Sequence, residues 1–170
     1  MTLVFRVVLL LFVCSAGLRP AHGTEHVGDA LVVHTLDNQT AAVDALDREI
    51  LALLETVPDD RRFELYWTYD QLMGTWSQVE VLQALLELAI AATSPLEEEE
   101  ISTQLRDHAR FLLWDLDEAG AQLELHTPAD DQQQHRRINE TIRALLSATR
   151  IIISRLLAAH CVHVQCAIDP

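Results

Sequence analysis

The sequence has no lysine. Its 12 basic residues are all arginine, set against 26 acids, for a net charge of −14. So little positive charge excludes a phosphate-binding surface, and nucleic acid is not an expected partner. An all-arginine cation set reads as the mark of a GC-rich genome, and with it of a bacterial periplasm. No Cys-x-x-Cys-His occurs, which excludes covalent c-type haem. There is no phosphate loop and no nucleophile–base motif, so no enzyme is expected. Low-complexity tracts, long linkers and repeats are missing too, and no convincing strand pattern is found.

What is present is a 170-residue chain that is 49% hydrophobic. That is enough for one domain with a real core, and too apolar for a disordered chain. Residues 1–23 read as a secretory signal. Arg6 supplies positive charge, Val7 to Val13 an apolar run, and Ala21-His22-Gly23 small residues at −3 and −1 of a cleavage site. The run is shorter than the ~20 residues of a membrane span, and no later stretch qualifies. The expected mature chain, residues 24–170, is one exported domain, periplasmic or secreted, with no membrane span.

Three stretches share a helix-start logic: Thr56-Val57-Pro58-Asp59, Ser94-Pro95-Leu96-Glu97 and Thr127-Pro128-Ala129-Asp130. Each has a hydroxyl to cap, an acid three residues on to cap back, and a proline where a missing N–H costs nothing. Between them the apolar spacing is helical. Val32, Leu36, Val43, Leu46, Ile50, Leu53 and Val57 form one stripe, with Gln39 filling its gap. Leu65, Tyr69, Leu72, Trp76, Val79, Leu82 and Leu86 form a second, and Ile101, Leu105, His108, Leu112, Leu116, Ala119 and Leu123 a third. Ile138, Ile142, Leu145, Thr149, Ile152, Leu156 and Ala159 form the fourth.

The spacing predicts helices over 29–56, 59–92, 95–126 and 128–161, each about 45 Å long. The fold class is all-α, an antiparallel up-down-up-down four-helix bundle with short turns. Charge fits this arrangement. Residues 24–126 hold 22 acids and 5 arginines, a net of −17, whereas residues 132–165 hold 5 arginines and 1 acid, a net of +4. A basic last helix between acidic neighbours lowers self-repulsion.

Four groups of residues are candidates for function. After signal removal only Cys161 and Cys166 remain, and two exported cysteines most simply form a disulfide. Because cysteines five apart on a continuous helix lie too far apart to bridge, the fourth helix should then end near Cys161. The sharper reading is a zinc or copper site built from His160, Cys161, His163 and Cys166, with His34 at the same end of the bundle. Its spacing matches no standard ligand pattern, so no cofactor is the first expectation. His108, His126 and His135 lie on or near the seams, where a histidine bonded within the core is the simpler reading.

Phe63, Tyr66, Trp67, Tyr69 and Trp76, with Phe111 and Trp114, form the aromatic group, expected in one half of the bundle, and Met73 is counted with the candidate pocket residues. The group reads as a pocket for an apolar ligand or a protein partner, or more simply as core filling around Gly74. Asn38 and Asn139 sit in N-glycosylation patterns, of interest only in a eukaryotic or viral source. The function these features suggest is non-enzymatic binding of a protein partner or small apolar ligand. The alternatives are a periplasmic metal- or haem-binding protein and a secreted cytokine-like factor. The sequence gives no oligomeric state.

Overall fold

Four amphipathic stripes, each about 30 residues long, can hide their apolar sides only against one another. The computed structural model describes residues 25–126, 128 and 132–161, and these form four helices with no strand among the described residues. They are α1 (Glu25–Thr56), α2 (Asp59–Ala91), α3 (Pro95–Leu125) and α4 (Gln133–Cys161). Each helix packs on the next in sequence, and α4 packs back on α1, consistent with a four-helix bundle.

Helix starts obey local chemistry, with two departures from expectation. At α3, Ser94 Oγ accepts from Glu97 N at 3.3 Å, and Glu97 reaches back to Thr93 N. Pro95 stands in the first turn, and Glu97 and Glu98 meet the positive end of the helix dipole. At α2 the expected cap does not form. Thr56 is instead the last residue of α1, its hydroxyl bonded to Leu53 O, and Pro58 occupies the N-cap position just before α2 with no side-chain cap. The end of α1 is closed from across the turn, where Arg62 Nε donates to Leu54 O at 3.1 Å.

The described α4 begins at Gln133 rather than 128. Its first backbone bond runs from Arg136 N to Gln132 O, while the Arg136 guanidinium donates to Pro128 O. Arg136 thus ties Pro128 to the first turn from outside it. Thr127, and with it the expected cap, lies outside the described residues.

The stripes form the interior. Leu36, Ile50, Leu72, Val79, Leu82, Leu112, Leu123 and Ile142 are wholly buried. Each buried aliphatic side chain contributes roughly 1.5–3 kcal/mol relative to exposure. Two stripes shift by one residue: Leu54 and Leu146 are buried where Leu53 and Leu145 were expected, and Leu53 and Leu145 are half-buried at the margin. Ala159, expected inside, is exposed.

Polar residues within this interior join helices. Gln39, in the gap of the α1 stripe, accepts from the Thr149 hydroxyl of α4 at 3.0 Å, and both are buried. Asn139 of α4 is also buried and donates to Leu123 O of α3 at 3.2 Å. On the surface, Asp37 of α1 accepts from Gln83 of α2 at 2.6 Å. Arg143 pairs with Glu124, and Arg150 with Asp117, across α4 and α3.

The Gln39–Thr149 bond lends itself to a double-mutant test. Thr149→Val leaves the Gln39 amide buried without its partner and should cost about 1–3 kcal/mol in urea unfolding. Gln39→Leu in the same chain should restore much of that loss, because both polar groups are then gone. Additive losses would show that the bond does not couple the two helices.

Candidate functional site

The seven aromatic-group residues do not gather in one place. Trp76 is only 2% exposed and belongs to the core, where its indole N–H has no hydrogen-bond partner among the described residues. Met73 is half-buried against the same core. Trp67 is half-buried and packs on His126 at the end of α3, with ring centroids 4.5 Å apart. Phe63 and Tyr66 stand out from the first turns of α2, and Gly74 is exposed with open space around it, so no aromatic core fills around that glycine.

Phe111 and Trp114 are the pair that remains. They are 48% and 61% exposed, with ring centroids 6.1 Å apart on the outward face of α3. The backbone beneath them is firmly placed. Leu112 and Leu116 on the inward face are buried, and His108 Nε2 donates to Gln78 O of α2 at 2.8 Å while its ring packs on Phe111. A carbonyl can only accept, so this contact places the His108 proton on Nε2. His108 thus steadies an exposed aromatic step as a histidine bonded within the bundle.

The expected C-terminal cluster is described only in part. Of Cys161 only the helical backbone is described, and His163 and Cys166 lie outside the described residues. The disulfide and most of the metal set therefore fall there too. His34 is exposed and lies beside Asn38. His160 is engaged: its Nε2 donates to the buried Asp29 carboxylate of α1 at 3.0 Å. No group of three potential metal ligands occurs among the described residues.

His135 of α4 is buried, with Nε2 3.0 Å from Thr68 Oγ1 of α2 and Nδ1 3.2 Å from Gln132 Oε1. Burial pushes its pKa below the usual 6.5, against a smaller upward pull from Glu64. Tyr69 is pushed above 10.0 by burial and by its hydrogen bond to Asp47. The two glycosylation candidates differ. Asn38 is exposed, whereas Asn139 is buried with its amide nitrogen already bonded, leaving no room there for a glycan.

Two shallow hollows stand out among the described residues. One of about 190 Å³ lies where the α1–α2 turn meets the start of α4, lined by Leu53, Val57, Arg61, Leu65 and His135 among others. The second, about 240 Å³, is an acidic groove between Asp37, Thr40, Glu80, Gln83 and Glu87. No aromatic residue lines either one.

Sequence reasoning missed Asp29 and Thr68 as helix-joining groups. The signal was available: Asp29 precedes Val32 and Leu36 by three and seven residues, and Thr68 follows Leu65 by three. A polar residue on an apolar stripe must find a partner when buried.

The two tryptophan environments can be read by fluorescence. Trp114→Phe should remove the component most accessible to acrylamide and Trp76→Phe the most shielded one; equal quenching losses would contradict this placement. No protein family, curated protein or solved structure matches the chain.

Proposed function

We propose that this chain is an exported, non-enzymatic binding module whose partner is a protein that covers Phe111 and Trp114. The observation that carries the reading is this adjacent, exposed aromatic pair on a helix whose inward face is already filled. Large aromatics dominate protein–protein hot spots because they lose much apolar area at little conformational cost. A small apolar ligand is the weaker reading. Sites for drug-sized ligands run to about 300–1,000 Å³, and both hollows, at about 190 and 240 Å³, are smaller and lie away from the aromatics.

Several structural features belong to the same proposal. The order is up-down-up-down. Arg62 near the start of α2 meets Leu54 near the end of α1, while Gln83 far along α2 meets Asp37 early in α1. Likewise Asp29 and Gln39 meet His160 and Thr149 in descending order. Residues 1–23 are removed on export, and Cys161 and Cys166 then oxidise to a disulfide. His160 is bonded to Asp29, which weighs against the metal reading. The non-enzymatic reading rests on how the buried polar groups are used: Thr68, His135, Gln39, Thr149 and Asn139 each make a hydrogen bond that joins two helices.

Pulldown from the native exported compartment tests the proposal, with wild type, Trp114→Ala, Phe111→Ala/Trp114→Ala and Phe63→Ala as baits. The partner should remain on wild type and Phe63→Ala. The double variant should bind it at least about 30-fold more weakly, as loss of a hot spot worth about 2 kcal/mol implies. A partner held equally by all four baits would refute this surface.

A further inference from the structure

The aromatic step is part of a longer row on α3. With exposed Glu118, Ala121 and Leu125, Phe111 and Trp114 form an outward stripe at the alternating three- and four-residue spacing of a helix seam. α4 presents an outward row of smaller side chains, Ala144, Ser147, Ile151 and Ala158, with Arg155 among them. The two rows lie on neighbouring helices, since Arg143 meets Glu124 and Arg150 meets Asp117 between α4 and α3.

Charge marks this face off from the others. α1 and α2 together hold 13 acids and 3 arginines, a net of −10, so two copies meeting there would repel each other. On α3, residues 101–125 hold 5 acids and 2 arginines, a net of −3, whereas α4 holds 5 arginines and 1 acid, a net of +4. The α3–α4 face is therefore close to neutral, and its two halves are opposite in sign. A surface of that pattern is complementary to itself.

We propose that the protein covering Phe111 and Trp114 is a second copy of this chain, with α3 of each copy lying on α4 of the other about a two-fold axis parallel to the helices. This rests on the binding reading above and names its partner.

A two-fold axis lying in this face has two simple settings. Set across the helices, it lays α3 on α3 and α4 on α4, so acids meet acids and arginines meet arginines. Set along them, it lays α3 on α4 and opposite charges meet. Levels along the bundle then carry over unchanged from one copy to the other. The ion pairs give those levels: seven residues back along α3, from Glu124 to Asp117, are seven residues on along α4, from Arg143 to Arg150. Continued, this register brings Trp114 within about 3 Å of the level of the second copy's Ile151, Phe111 near its Arg155 and Ala121 near its Ala144. Bulky side chains of α3 thus come opposite small ones of α4. Arg155, which makes no ion pair among the described residues, comes level with a ring whose face attracts a cation. Glu97 to Glu100 fall past Cys161, the last residue of α4, and so put no acid opposite that helix.

Sedimentation equilibrium of the mature chain, residues 24–170, between about 1 µM and about 100 µM reads the assembly. Wild type should dimerise. Phe111→Ala/Trp114→Ala should raise the dissociation constant at least about 30-fold, and Phe63→Ala on α2 should leave it unchanged. The arrangement is read by crosslinking chains whose native cysteines are replaced by serine and which carry either Ala121→Cys or Ala144→Cys. Mixed and mildly oxidised, the two should give a disulfide-linked dimer, and each by itself far less. The crosslink leaves both aromatics in place, so it decides the matter even if the double variant folds poorly. A wild type that stays monomeric throughout overturns this inference and leaves the pulldown to judge the binding reading. A dimer formed equally well by the double variant, or single-cysteine chains that link to themselves as readily as in the mixture, would overturn it too.

Discussion

Hydrogen bonds made inside an otherwise apolar interior fix how the four helices meet. A seam of leucines and isoleucines tolerates sliding, because one aliphatic contact resembles the next. Gln39 and Thr149 remove that freedom, since a slip of one turn would leave the Gln39 amide buried without the Thr149 hydroxyl. Asn139 on Leu123 O does the same for α3 and α4, and His135 on Thr68 for α2 and α4. The outward position of Phe111 and Trp114, the smallness of the hollows and the placing of Arg150 beside Asp117 all follow from that register.

Charge plays a second, softer part. The chain carries −14 overall, yet α4 holds five arginines against one acid. Two of these arginines face acids of α3, at Glu124 and Asp117. Surface pairs of this kind contribute only about 0–1 kcal/mol each. Their larger effect is to place the one basic helix between acidic ones, where it lowers the repulsion that a net −14 imposes on a compact state.

Much of the fold was legible because apolar spacing at 3.6 residues per turn needs no tertiary information. Leu36, Leu72, Leu112 and Ile142 lie where that period places them, and Gln39 fills its gap as expected. Ser94 was legible for the same reason, since a cap is a local device. Thr56 was not: its hydroxyl has a choice between capping α2 and bonding back to Leu53, and Arg62, reaching across the turn, helps settle α1 through residue 56. The one-residue shifts to Leu54 and Leu146 also depend on the neighbouring helices. The aromatic group was misread because proximity in sequence was taken for proximity in space. Residues 63 and 66 share one face of α2, Trp76 faces another, and a residue between two buried leucines of α3 can point outward. Composition cannot separate an aromatic that fills a core from one that leaves it.

The register of α1 against α4 carries the rest, and distances between spin labels test it most directly. With native cysteines replaced by serine, one label at exposed Leu31 is paired with a second at exposed Ala158 or Arg137. The two α4 positions lie 21 residues apart, about 30 Å along a helix. The account predicts a short distance from 31 to 158 and one longer by about 25 Å from 31 to 137. Equal distances, or the reverse order, would contradict it.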